Sequence, residues 1–500
     1  MGKADYYAKL EKAWSRVAGL SDAISMLSWD SHTLMPSGAG EARAEQLAVL
    51  SVLRQEEMSS SFVSDLIHLV DEKELNLWQR ANLREIKRLH DHASSLSPAI
   101  VEAHSRARNH CEAVWRTARD ESRFDLIIEP LSNLLVITRE ISLSKAEILK
   151  KEPYDTLLDE YEPGGSAAHI DTIFQKIEPA LTDLLPEVIE YQKNFEFDFS
   201  KEPIGIERQK NLGLKVMKQQ GFKFTNGRLD ISIHPFSGGV PDDVRITTRY
   251  DELDWSRSLM GVIHETGHAL YEQGLPVEWR GQPVGSARGM VLHESQSLAL
   301  EMQICRSKEF FSYLASLIAT EFEVEGAEWS PKSLYRKAIR VSPNFIRVDA
   351  DELSYSLHII LRYRLERAML AGDLVVSELP LAWNDGFEKS FGIRPTNNRE
   401  GCLQDIHWYD GAFGYFPTYS LGAMTAAQLF ATLSQDLPQI STDILEGKFG
   451  RIIGWLRDNV HRWGSYHSTE TLLTEVTGEP LRPEFFISHL KRRYLTTDLT

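Results

Sequence analysis

The sequence predicts a mainly α protein, one large helical unit with a small β-sheet beside a helix that carries two histidines. Three observations support this. Apolar residues recur at spacings of three and four along most of the chain, the period of a helix with one buried face. A single interval, residues 228–250, instead alternates apolar and polar residues as a half-buried strand does. No repeat, low-complexity tract or long Pro/Gly/Ser linker divides the 500 residues, so 1–500 reads as a single domain.

The elements follow in chain order. Ser97-Pro98 reads as an N-cap followed by proline at the first helical position. Ile100, His104, Ala107, Cys111 and Val114 then form one apolar stripe, which makes His104 and Cys111 core residues rather than ligands. After the Gly164-Gly165 break, Ile170, Ile173, Phe174, Ile177 and Leu181 repeat the helical pattern. In "RLDISIHPFSGGVPDDVRITTRY", Leu229, Ile231 and Ile233 alternate before Gly-Gly-Val-Pro, and Val244, Ile246 and Thr248 alternate after it, the pattern of a hairpin. "SLMGVIHETGHALYEQGL" (258–275) reads as a helix opened by Asp254 and stopped by Gly274. Leu353, Leu357, Ile360 and Leu361 mark another helix in the last third.

Composition narrows the function. With 55 Lys+Arg against 72 Asp+Glu, the net charge of −17 argues against a nucleic-acid partner, which normally needs a basic stripe. No stretch of 18 apolar residues predicts a membrane span. Cys111, Cys305 and Cys402 are far apart and lack a C-x-x-C pair, so a reducing compartment is expected. The start "MGKADYYAKLEKAW" has no signal-peptide run, and Tyr6 spoils a myristoylation motif. A cytoplasmic location is expected.

His264, Glu265 and His268 form H-E-x-x-H. At about 100° per residue both histidines project together, opposite Trp255, Leu259, Val262, Ile263 and Leu270. Gly261 and Gly267 flank that face, and small residues there permit close approach. A catalytic zinc needs a third protein ligand and an open position. Glu294, in "GSARGMVLHESQSLALE" and 26 residues beyond His268, is the candidate, since the intervening loop lets a second helix lie alongside. A thermolysin-like E-x-x-x-D continuation fails at Leu298, which leaves Asp351 and Asp405 as candidates to orient the ligand histidines.

Other blocks now matter together: His234–Phe236 (HPF), Asp243–Thr247 (DVRIT), His293–Gln296 (HESQ), Ile346–Asp351 (IRVDAD) and Gly401–Trp408 (GCLQDIHW). With H-E-T-G-H they resemble, in order and spacing, the signature of the thermostable (Taq-type) metallocarboxypeptidase family. "LSWDSHTLMPSGAGEARAEQ" (27–46) and "YEPG" (161–164) are similar to it too. The resemblance covers nearly the whole chain, with a catalytic region near 228–302 and substrate-groove motifs near 342–420. It implies a zinc enzyme that removes single residues from peptide carboxyl termini with broad specificity. It also implies a deep groove between two helical halves, a homodimer, one metal per chain on His264, His268 and Glu294, and cobalt as a workable substitute. Glu265 would be the catalytic carboxylate.

The chemistry matches those assignments. A zinc ion activates water and polarises the scissile carbonyl, while Glu265 takes a proton and later returns it to the departing amine. Tyr415 and Tyr419 are candidate donors to the oxyanion. An exopeptidase must also recognise a free carboxylate, which a guanidinium matches with two parallel hydrogen bonds. Arg347 fits that role and equally a salt bridge at a helix start; the resemblance favours substrate binding. His407 reads as a second carboxylate contact or as a core histidine paired with Asp405. Arg245, near Asp242 and Asp243, reads as a structural ion pair or as a group at the closed end of the groove. The hairpin edge would offer pairing to an extended peptide. The rival readings are a zinc endopeptidase or dipeptidyl carboxypeptidase, and a non-catalytic binding protein with a structural metal.

Overall fold

The computed structural model describes residues 4–195, 202–232 and 234–495. Four helices, Ala4–Thr33, Gly40–Met58, Ser61–Leu69 and Leu77–Ser94, open the chain. They have an apolar cluster of their own, with Leu10, Trp14, Leu66 and Ile86 at its centre. The main core runs from Pro98–Asp120 to Pro483–Tyr494 and collects the stripes read from the sequence. Ser97 Oγ accepts from Ile100 N at 3.3 Å, capping the Pro98–Asp120 helix as expected. Cys111 is fully buried there, while His104 is half-buried. Ile170, Ile173, Phe174, Ile177 and Leu181 of Ala167–Gln192 are all buried, as are Leu353, Leu357, Ile360 and Leu361 of Glu352–Ala371. Among the described residues no helix is long and apolar enough to cross a membrane.

The sheet differs from the expected hairpin. Its strands are β1 (Gly227–Ile231), β2 (Ser237–Val240) and β3 (Asp243–Thr248), in the order β1-β3-β2. The two alternating runs pair in parallel, Leu229 opposite Ile246, and the Gly-Gly-Val segment read as a turn is itself β2, antiparallel to β3. Alternation reports the period of a strand but not its direction, and the chain between β1 and β2 reverses it. Gly239 (φ 88°) lets β2 approach the Asp243 carbonyl more closely than any side chain permits. Ile233 lies outside the described residues. The edge of β2 faces the first helix, with Ser25 Oγ donating to Gly239 O at 2.8 Å, so an added peptide strand has little free edge there.

β3 packs on the histidine helix, Trp255–Gly274, through Val244, Ile246, Val262 and Ala269. A second helix, Met290–Leu298, lies alongside and continues as a π-helix, Ala299–Ile304. A third, Pro417–Asp436, covers it from the other side. Two glycines set the spacing. A Cβ at Gly267 would lie 2.5 Å from Ser297 Cα, and one at Gly422 would lie 2.8 Å from Glu294 Cβ. Backbone approach at these points brings the middle helix within ligand distance of the histidines.

Candidate metal centre and substrate groove

On the histidine helix the i, i+4 spacing turns both imidazoles the same way. His264 Nε2 and His268 Nε2 stand 3.8 and 3.4 Å from Glu294 Oε2, and one ligand atom from each residue lies within 4.8 Å of the others. Metal–ligand bonds of about 2.1 Å at tetrahedral angles put ligand atoms about 3.4 Å apart, so the spacing fits a small divalent cation. The electrostatics fit as well. Burial opposes charge on His264, yet Glu294 and then Glu301 overcome it and push its pKa up to about 10. Glu294 is held down to about 2 against its own burial by His264 and His268. His268 is pushed down to about 4, chiefly by burial. Glu294 and Glu301 thus favour positive charge at His264 against its burial, where a divalent cation would put its charge.

The partners that hold these groups were not the expected ones. His264 Nδ1 is 2.9 Å from Glu301 Oε2, and Arg306 Nη2 donates to Glu301 Oε1 at 2.8 Å. His268 Nδ1 is 2.6 Å from His293 Nδ1, and His293 Nε2 is 2.9 Å from Glu272 Oε1. Asp351 instead caps its own helix by accepting from Ser354 N at 2.9 Å. Asp405 is shared between Arg347 and Arg362. Both therefore orient other groups, because both belong to segments that close around Arg347. A spacing signal did exist: Glu301 is two helical turns beyond Glu294, and Glu272 one turn beyond His268. Glu301 lies in the π-helix, a geometry frequent at functional sites.

A groove of about 1490 Å³ runs over this centre, and His264, Glu265, His268, Glu294, Arg347 and Tyr419 all line it. Glu265 is buried, which lifts its carboxyl to about 7, with His264 opposing and Glu294 adding to the rise. Arg347 is 6% exposed. Its Nε and Nη2 donate to Asp405 Oδ1 at 3.0 and 2.8 Å, its Nη1 donates to Tyr355 Oη at 3.1 Å, and its guanidinium lies over the Tyr419 ring at 4.9 Å. Its ion pair is thus with Asp405, whereas Asp349 meets Arg257. Tyr415 also lines the groove, with its ring 5.1 Å from that of Tyr419. His407 stands behind Tyr419, not in the groove: its Nε2 is 3.1 Å from Tyr419 Oη and its ring packs on Phe416 at 4.4 Å. The aromatic neighbours of the Gly401–Trp408 segment turn the imidazole inward. Arg245 pairs with Asp243 at 2.7 Å and covers Trp29 at 4.4 Å, the structural reading of that residue.

Residues 9–494 match the family model described as "Carboxypeptidase Taq (M32) metallopeptidase". The chain belongs to this family. It is therefore a peptide hydrolase that acts on carboxyl termini, and membership of a metallopeptidase family implies a divalent metal. The chain is 34% identical over 500 residues to thermostable carboxypeptidase 1 of Pyrococcus furiosus, covering 98% of this chain and 97% of that one. It is 33% identical over 482 residues to carboxypeptidase 1 of Bacillus subtilis, covering 96% of each. Among solved structures, Trypanosoma cruzi metallocarboxypeptidase 1 superposes with a TM-score of 0.96 at 38% identity, covering 98% of this chain and 99% of that one. The mainly α fold of this M32 carboxypeptidase, with its small sheet, agrees with the sequence reading.

Proposed function

We propose that this carboxypeptidase is a zinc enzyme that releases single residues from peptide carboxyl termini with broad specificity. His264, His268 and Glu294 hold the metal, one per chain, and cobalt can take its place. When bound, the metal supplies Lewis-acid activation of water and of the scissile carbonyl. Glu265 borders the same groove and, with a carboxyl lifted to about 7, is matched to taking a proton and returning it near neutrality. Arg347, which lines the groove and is held in place by Asp405 and Tyr355, receives the terminal carboxylate. Tyr419 contributes a hydroxyl beside it, and His407 acts through Tyr419 by fixing that hydroxyl. Tyr415 is the second candidate donor to the oxyanion. The groove exceeds the usual single-ligand pocket of about 300–1,000 Å³, which supports a peptide rather than an amino acid as substrate and a loose demand on side chains.

The observation that carries this reading is a buried, oriented arginine in the same groove as a His₂Glu set and a free-standing carboxylate. The three cysteines are buried and unpaired, which supports a reducing cytoplasmic setting, and the family resemblance supports a homodimer. The test compares residue release from a free peptide and its C-terminal amide by wild type and Glu265→Gln, with metal content measured. Stepwise release from the free peptide only is expected, with Glu265→Gln keeping its metal and losing about 10²–10⁴-fold in turnover. Internal cleavage of the amide would show an endopeptidase instead.

A further inference from the structure

We infer that His293 is a positioning residue which, backed by Glu272, fixes the tautomer and aim of the metal ligand His268. The inference rests on the metal-site reading above and extends it to two side chains that touch neither metal nor substrate in that reading. Its starting point is helix register. Glu272 lies one turn beyond His268 on Trp255–Gly274, so both project toward the neighbouring helix at Met290–Leu298, where His293 meets them. The His293 ring stands 4.7 Å from that of His268.

With His268 Nε2 committed to a metal, the contacts permit one proton arrangement. His268 presents Nε2 to Glu294 Oε2 at 3.4 Å, so a ligating His268 carries its proton on Nδ1. That Nδ1 is 2.6 Å from His293 Nδ1, which is attractive only if the His293 atom is bare and accepts. The proton of His293 then sits on Nε2, where it donates to Glu272 Oε1 at 2.9 Å. The carboxylate thus acts on His268 through a second imidazole, whereas His264 meets its carboxylate, Glu301, directly at 2.9 Å. Accepting the Nδ1–H stops the His268 ring from rotating about its Cβ–Cγ bond and makes Nε2 a stronger donor to metal. A leucine at 293 packs against the same neighbours and cannot accept. An asparagine places its side-chain oxygen where Nδ1 stands, and can.

The test measures zinc affinity of the full-length apo protein by chelator competition, together with the visible spectrum of the cobalt form. His293→Leu is expected to weaken zinc binding about 10–100-fold and to alter the cobalt spectrum. His293→Asn should restore most of both, and Glu272→Gln should weaken binding by less than His293→Leu does. Zinc affinity within about threefold of wild type in His293→Leu, no advantage of Asn over Leu, or no effect of Glu272→Gln would each overturn the inference. If His293→Leu does not fold, the Asn and Glu272→Gln variants decide alone, the latter by its zinc affinity. Glu294→Ala separates the two levels: stoichiometric tight zinc in that variant refutes the metal site itself, whereas its loss leaves only the role of His293 at issue.

Discussion

Gly422→Ala is expected to weaken metal binding although Gly422 carries no side chain and lies on a helix remote in sequence from the histidines. A Cβ at this position would stand 2.8 Å from both Cβ and Cγ of Glu294 and 3.4 Å from Ser295 N. Carbon atoms pack at about 3.5–4.0 Å, so the glutamate stem or the helix carrying it must move by roughly 0.7–1.2 Å. Metal–ligand distances tolerate only about 0.2 Å. Glu294 cannot swing aside freely, because Ser297 Oγ donates to its Oε2 at 3.3 Å and the Gly267–Ser297 approach holds its helix from the far side. Overpacking of this kind costs about 1–3 kcal/mol. If most of it falls on the ligand, zinc affinity drops roughly 5–150-fold, since 1.4 kcal/mol is about tenfold. Entropies of about 2 cal/mol/K per residue make the same energy worth only about 1–3 °C in the melting temperature of a 500-residue chain. Chelator competition on the apo protein is therefore the sensitive assay, with apo melting as control. Unchanged zinc affinity beside a lowered apo melting temperature would falsify the reasoning, because the strain would then be relieved away from Glu294.

Two further outcomes follow from buried charges. Arg347→Lys keeps the positive charge but loses the fork that meets Asp405 and Tyr355, so KM for a free-carboxylate peptide should rise about 10-fold or more while zinc content is unchanged; an unaltered KM would remove Arg347 from substrate binding. Glu366 accepts from Tyr154 Oη, Trp408 Nε1 and Gly414 N, yet burial outweighs these bonds and pushes its carboxyl up to about 7. A folded-state pKa above the unfolded value means that its stabilising contribution is full below about 4.5 and is lost as pH rises through about 7. Glu366→Gln should therefore gain on wild type by about 2 kcal/mol in denaturant unfolding between pH 5 and pH 8, and a pH-independent difference would show that the three donors win over burial.

The sequence was a good guide to what depends on period alone. The stripes at Ile170–Leu181 and Leu353–Leu361 became buried helix faces because 3.6-residue spacing leaves one way to bury them. It was a poor guide to strand direction. Leu229–Ile231 and Val244–Thr248 carry the alternation of neighbouring strands, but their parallel pairing follows from the intervening passage through β2, which alternation does not encode. Nor did the glycines at 238 and 239 announce a strand; the need for Gly239 there comes from the close Asp243 carbonyl, a tertiary fact.

At the site, legibility followed the number of residues a helix turn can relate. H-E-x-x-H brings His264, Glu265 and His268 together by local geometry, and the third candidate ligand was within reach of one more helix. What the pattern missed was the second layer, because it is assembled across elements. Asp405 reaches Arg347 over 58 residues of chain and Glu301 reaches His264 over 37, while Asp351, adjacent in sequence to the arginine's own segment, spends its carboxylate on Ser354. Asp351 and Asp405, offered on sequence pattern alone, therefore do not stand behind the ligand histidines; that place belongs to Glu301 and, through His293, to Glu272. The same logic separates His407 from Arg347. Both belong to blocks that resemble the family signature, yet only the arginine lines the groove, while the histidine packs on Phe416 and lies beside the Tyr419 hydroxyl. A motif identifies which residues matter to the site, and packing decides whether each one meets the substrate or holds a residue that does.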